Sequence, residues 1–155
     1  MVEYLVYSVI IEYMEYSEVL EISKRTLTRK SIGVIRDEYL NKLMEEVEST
    51  NISAIMGVRR SGKSTILLQL IDKLRDRKGL EDRNILFLNL EDPRISSLLY
   101  DNNLLTFIEE FIENSDKRKK VYIFLDEVQN VQSWQVVIRT IQDVIINHKL
   151  FITGS

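Results

Sequence analysis

Nine consecutive residues decide the fold of this chain, and they read Gly57-Val58-Arg59-Arg60-Ser61-Gly62-Lys63-Ser64-Thr65. The first eight fit G-x-x-x-x-G-K-[ST], the pattern of phosphate-binding loops. An apolar strand candidate, residues 52–56, precedes the loop, and residues 65–74 follow it with helical periodicity. A chance Gly-Lys-Ser turn is the alternative, and the flanking strand and helix argue against it, because this motif requires that context.

Each residue type in the loop has a physical role. Gly57 and Gly62 allow tight turns, so that consecutive backbone N–H groups point into one concavity that holds an anion. The positive end of the following helix strengthens that field. Lys63 would reach the β- and γ-phosphates of a nucleotide, and the Ser64 hydroxyl would bind Mg²⁺.

A second half-site follows the apolar run Val121-Tyr122-Ile123-Phe124-Leu125, which leads directly into Asp126-Glu127. A buried strand ending in an acid is the Walker B pattern, in which Asp126 would hold Mg²⁺ near Ser64. Glu127 could polarise the water that attacks the γ-phosphate, which favours hydrolysis over phosphate transfer by a kinase. The alternative is an acidic pair that caps the next helix.

The composition sets outer limits on the function. The chain has 155 residues, of which 45% are hydrophobic and 29% charged, as expected for one soluble domain. It has no cysteine, which excludes disulfides and thiol chemistry and fits a cytoplasmic location. The N-terminus lacks the basic leading region of a signal peptide. Its uncharged apolar stretch is shorter than a membrane-spanning helix requires. The net charge of −3 neither indicates nor excludes DNA.

The order of elements predicts an α/β fold, a P-loop NTPase with a parallel sheet and helices on both faces. We expect residues 1–35 to form an N-terminal extension and residues 36–155 the core. Within the extension, residues 4–11 are β-prone and residues 24–36 read as a loop. The basic run at residues 117–120 reads as a solvated loop rather than a phosphate-backbone contact.

The sequence resembles the AAA+-type ATPases that are widespread in archaea and bacteria. The resemblance rests on four segments that span about three-quarters of the chain. They are Gly57-Val58-Arg59-Arg60-Ser61-Gly62-Lys63-Ser64-Thr65, Asn89-Leu90-Glu91-Asp92-Pro93-Arg94, Phe124-Leu125-Asp126-Glu127-Val128-Gln129-Asn130-Val131 and Ile152-Thr153-Gly154-Ser155.

The resemblance implies ATP and Mg²⁺ as cofactors, with Glu127 and Lys63 catalytic and with Ser64 and Asp126 at the metal. Thr153 or Ser155 would be the polar sensor that touches the γ-phosphate. Asn89 resembles the polar residue that restrains the catalytic glutamate until a partner binds. The full set of residues assigned to the nucleotide is Gly57, Val58, Arg59, Arg60, Ser61, Gly62, Lys63, Ser64, Thr65, Asn89, Thr153 and Ser155.

The chain ends at the sensor position, so we expect a core that lacks the fifth strand and the helical lid of such ATPases. The strand at residues 52–56 would then be an exposed apolar edge. The β-prone N-terminus, a partner chain, or a longer parent protein would each account for that edge. A start at Met14 would account for the first 13 residues.

Three functions stay open from the sequence: an ATPase that couples hydrolysis to conformational change, a nucleotide-binding module or fragment with little turnover, and a small-molecule kinase. The Asp126-Glu127 pair argues against the kinase. Arg94 and Arg139 are either fingers that reach a neighbouring subunit or members of surface salt bridges, and the second reading is simpler. A homo-oligomer or a partner protein is compatible with each function. The sequence does not identify the molecule on which the protein acts.

Overall fold

The computed structural model describes residues 2–28, 33–100 and 102–155, with side chains described from Glu15 onward. Five α-helices lie in these ranges: α1 (Val2–Thr28), α2 (Asp37–Glu46), α3 (Lys63–Lys78), α4 (Asn103–Glu113) and α5 (Trp134–Val144). Four strands alternate with them: β1 (Ser53–Met56), β2 (Ile85–Asn89), β3 (Val121–Asp126) and β4 (His148–Gly154). Short 3₁₀ turns occupy Asp82–Asn84, Pro93–Leu99 and Val128–Asn130.

The four strands form one parallel sheet in the order β1-β4-β3-β2. The register pairs Met56 with Gly154 and Asn89 with Asp126, so the carboxyl ends of all four strands meet at one rim. Ligands bind at this rim in open parallel sheets, outside the carboxyl ends of the strands. The predicted α/β class and parallel sheet are confirmed.

Helices cover both faces of the sheet, as predicted. On one face, apolar side chains of α4 and α5 pack on alternate residues of β3, including Val121, Ile123 and Leu125. On the other face, α2 and α3 pack on Tyr122 and Phe124. Since alternate side chains of a strand point to opposite faces, a continuous apolar run is what a strand buried on both sides requires.

The N-terminus corrects two predictions. Residues 4–11 lie in α1 and not in a strand, and residues 24–28, predicted as loop, continue the same helix. The rest of that predicted loop is non-helical at residues 33–36, and residues 29–32 lie outside the described residues. Tyrosine, valine and isoleucine raise β-propensity, but propensity is a weak prior that tertiary packing overrides.

Helix α1 packs against the edge strand β2. The Phe87 N–H donates to Ser23 Oγ at 3.2 Å, and Val19 and Leu27 are buried in the two apolar clusters. An edge strand covered in this way is protected from pairing with another chain. At the opposite edge, β1 pairs with β4 alone among the described strands, and Met56 at its end is 57% exposed.

The basic run is a loop between α4 and β3 whose charges meet acidic side chains. Arg118 pairs with Asp116 at 3.1 Å, and Lys119 pairs with Glu81 at 2.8 Å. Lys120 reaches Glu48 at 3.2 Å. These pairs fit the reading of residues 117–120 as a solvated loop.

Candidate phosphate-binding site

The loop between β1 and α3 turns through two left-handed residues, Arg60 at φ 64° and Gly62 at φ 88°. The Ser61 N–H closes a turn onto the Val58 carbonyl at 3.3 Å, and the Gly57 N–H donates to the Gly154 carbonyl at 3.2 Å. The second of these bonds ties the loop to the end of β4. Alternation of right- and left-handed residues is the geometry that gathers backbone N–H groups into an anion-binding nest.

Lys63 is the first residue of α3, and its side chain lies over the loop. It is 4% exposed, and its ammonium donates to the carbonyls of Gly57 and Val58 at 3.1 Å each. Glu127 Oε1 lies 3.4 Å from the same nitrogen. An ammonium has three N–H donors, so two hold the loop and one faces the carboxylate.

Asp126 ends β3 as a buried carboxylate with two hydroxyl partners. Thr153 donates to its Oδ1, and the Ser64 hydroxyl also hydrogen-bonds to it. Burial raises the pKa of Asp126, and the two hydrogen bonds oppose that rise. The Thr153 hydroxyl also accepts the Glu127 N–H at 2.9 Å, so one fully buried side chain joins both acids.

Glu127 follows β3 in the left-handed conformation, at φ 59° and ψ 54°. Its Oε2 accepts from Gln129 Nε2 at 2.6 Å and from Ser155 Oγ at 3.1 Å. Burial pushes the pKa of Glu127 up, but these bonds and the charge of Lys63 outweigh burial, so the pKa lies below its usual value. The side chain is therefore an ionised acceptor beside the loop at neutral pH.

The sequence profile of the AAA domain family matches residues 49–155, which contain the loop, all four strands and both acids. The chain belongs to the AAA domain family. It is an AAA+-type P-loop protein with a nucleotide-binding, ATPase-type core.

This AAA domain is similar to proteins that are much longer than itself. It is 34% identical over 122 residues to an uncharacterised protein of Haemophilus influenzae, a match that covers 79% of this chain and 30% of that protein. It is 35% identical over 105 residues to an uncharacterised protein of Methanocaldococcus jannaschii, covering 67% of this chain and 21% of that protein. The chain thus matches less than a third of the length of these relatives.

Among solved structures, that of C. elegans PCH-2 is similar, at 14% identity and a TM-score of 0.48. The similarity covers 90% of this chain and 35% of that one.

The oxygen atoms at the rim of this AAA domain suit a hard divalent cation. Ser64 and Asp126 are in hydrogen-bond contact. The described residues contain no cluster of three or more histidine, cysteine, aspartate or glutamate side chains that could cage a metal. Mg²⁺ binds through one or two protein oxygens and otherwise keeps water and phosphate ligands, so these two residues fit it.

The other predicted residues lie around the same rim. Asn89, Ser64 and Asp126 line a cavity of about 180 Å³ that also contains Asp92 and Arg94. The side-chain oxygen of Asn89, Oδ1, accepts the Glu91 N–H at 3.0 Å.

The outer loop side chains are more exposed. Arg59 pairs with Glu91 at 2.9 Å. Val58 is 78% exposed, and Arg60 is exposed as well. Thr65 is half-buried in the first turn of α3.

Sequence reasoning assigned no role to two residues that touch the site. Gln129 donates a hydrogen bond to Glu127. Its position two residues after the acid is the sequence feature that indicates this contact. Arg36 donates from Nη1 to the Ser61 carbonyl at 3.2 Å, and its guanidinium lies 3.5 Å from where a Cβ on Gly62 would stand. Arg36 lies 25 residues from Ser61, and only the fold brings the two together.

The described residues contain no helix with the length and hydrophobicity needed to span a bilayer.

Proposed function

We propose that this AAA domain binds ATP with Mg²⁺ and hydrolyses it, with Glu127 as the base that orients the attacking water. One observation carries the proposal. The Glu127 carboxylate lies 3.4 Å from the Lys63 ammonium, and that ammonium lies against the phosphate loop. A base must stand beside the group that holds the γ-phosphate, and this arrangement provides it.

The roles of the loop follow from its contacts. The backbone N–H groups between Gly57 and Thr65 would bind the phosphates, and Lys63 would neutralise the charge on the β- and γ-phosphates. Ser64 and Asp126 would hold Mg²⁺, which supplies charge neutralisation at the phosphate oxygens when bound. We assign ATP rather than GTP from the resemblance to AAA+-type ATPases, and residues 1–155 contain no Asn-Lys-x-Asp segment that reads guanine.

Two residues were candidates for the γ-phosphate sensor, and the structure distinguishes their surroundings. Thr153 is fully buried, and its hydroxyl serves Asp126 and the Glu127 N–H. Ser155 is exposed, and its hydroxyl contacts the Glu127 carboxylate. We therefore assign contact with the γ-phosphate to Ser155 and alignment of the two acids to Thr153.

The test is ATP turnover and binding of a fluorescent ATP analogue, measured on wild type, Glu127→Gln and Glu113→Gln. Glu113 is exposed on α4, so its change removes the same charge away from the site. We expect Glu127→Gln to bind the analogue as wild type does and to lose turnover by about 10²-fold or more. Glu113→Gln should turn over normally. Equal turnover in all three proteins would refute Glu127 as the base.

A nucleotide-binding module with little turnover is the second candidate, and two ion pairs favour it. Arg94 pairs with Asp92, and Arg139 lies 3.7 Å from Asp143, so the two arginines considered as fingers are members of exposed salt bridges. An arginine finger contributes roughly 10³–10⁵-fold to the rate of phosphate hydrolysis in related sites. A second copy or a partner protein would then supply that arginine, and nucleotide binding without turnover in wild type would support this candidate.

A further inference from the structure

We propose that Gln129 is a positioning residue for Glu127, a role that rests on the proposed hydrolysis. Gln129 lies on the 3₁₀ turn Val128–Asn130, directly after β3. Its amide nitrogen stands 2.6 Å from Glu127 Oε2 and 3.0 Å from Ser155 Oγ. A glutamine amide has two N–H donors, and both point into this cluster.

The amide of Gln129 lies beside the ends of two strands, β1 and β4. A Cβ on Gly154 would stand 3.2 Å from Gln129 Oε1 and 3.1 Å from Met56 Cε. Gly154 therefore leaves the space that the glutamine occupies, because a larger residue would push against it. Met56 of β1 lies on one side and Ser155 on the other, and the hydrogen bonds to Glu127 and Ser155 favour the observed rotamer of this exposed side chain.

The contacts of Glu127 show which orientation Gln129 stabilises. Oε1 faces Lys63, and Oε2 takes the amide of Gln129 and the hydroxyl of Ser155. The carboxylate is thereby aimed at the loop rather than away from it. A hydrogen bond to an ionised acceptor is stronger than one between neutral groups, so the glutamine fixes this direction.

Asn89 is placed for a different task. Its Oδ1 accepts the Glu91 N–H and so shapes the turn after β2. The polar side chains that contact the Glu127 carboxylate are Lys63, Gln129 and Ser155. We accordingly assign control of Glu127 to Gln129, which acts from the same turn, rather than to Asn89 on the neighbouring strand.

The experiment compares Gln129→Met with Gln135→Met in the full 155-residue chain. Methionine keeps the length of glutamine and removes both donors, and Gln135 is exposed on α5, so it is a matched control. We expect Gln129→Met to lower kcat about 10- to 100-fold, the size of effect that misplacing a catalytic group produces. The KM for ATP and the Kd of the fluorescent analogue should stay within about two-fold, as binding is left intact. An unchanged or raised kcat overturns the proposal.

Two further measurements separate this inference from the proposed function. Gln129→Asn keeps an amide on a shorter side chain, so it should fold and give an intermediate kcat; a kcat equal to that of wild type overturns the proposal. By NMR, the side-chain amide signals of Gln129 should move in Glu127→Gln and stay in Glu113→Gln. Unmoved signals would refute the contact between Gln129 and Glu127. If wild type does not turn over ATP, the proposed function is refuted, and the NMR measurement still tests the contact.

Discussion

Thr153→Val is the most informative single substitution for the architecture of the site. Valine has nearly the shape of threonine, so the change removes a hydroxyl and leaves the packing in place. That hydroxyl donates to Asp126 and accepts the Glu127 N–H in a fully buried position. Loss of a hydrogen bond to a charged group costs about 1.5–3 kcal/mol, and a buried N–H without a partner costs about 1–3 kcal/mol.

Because Thr153→Val removes both hydrogen bonds, we expect it to lower the free energy of unfolding by about 3–5 kcal/mol. The free energy of unfolding of a typical domain is ~5–15 kcal/mol. Urea unfolding followed by circular dichroism measures it, and the melting temperature should fall by roughly 6–20 °C. Thr140→Val is the control, because Thr140 is only partly buried on α5 and donates to the carbonyl of Val136, four residues before it. It should change the stability by less than about 0.5 kcal/mol. A cost below about 1 kcal/mol for Thr153→Val would show that the hydroxyl does not join the two acids.

Three other substitutions test the phosphate loop and the opposite end of the sheet. Asn84 is fully buried and exchanges hydrogen bonds with the backbone of Asp116, so Asn84→Ala should cost about 2–4 kcal/mol in urea unfolding; a loss under about 1 kcal/mol contradicts this. Gly62 has φ 88° beside Arg36, so Gly62→Ala should lose about 1–2 kcal/mol together with binding of the ATP analogue; unchanged binding contradicts this. Burial lowers the pKa of His148, so the unfolded chain takes up the proton first and stability falls as the pH drops below about 6.5. His148→Asn should lose less stability than wild type between pH 7 and pH 5, and parallel curves exclude the effect.

The sequence predicts the sheet well because the strands are continuous apolar runs. Residues 121–125 were predicted as a strand and lie in β3, and the helix after the loop ends where Gly79 adopts a left-handed cap at φ 59°. Burial on both faces and the need for positive φ leave a direct trace in residue type. The segment after β2 divides into a 3₁₀ turn at Pro93–Leu99 and the helix α4.

Other features leave no local trace. The helix α1 contains residues with β-propensity, and its described part packs on β2 through Ser23 and Val19, contacts that no window of sequence contains. His148 follows α5 closely in sequence, but it is 8% exposed at the start of β4. His148 is buried because it pairs with Val121 at the start of β3. Val121 is 27 residues away in sequence, so the residues next to His148 do not reveal its burial.

The backbone of Glu127 shows how two adjacent acids come to do different work. In a regular strand, neighbouring side chains point to opposite faces of the sheet, and both acids could not serve one rim. Glu127 instead takes φ 59°, a conformation that costs a residue other than glycine about 1–2 kcal/mol. The Glu127 N–H is bound by Thr153 and its carbonyl by Asn130, so hydrogen bonds on both sides hold the turn. The turn leaves Asp126 with Ser64 and aims Glu127 at Lys63, and strain retained in this way is characteristic of functional sites.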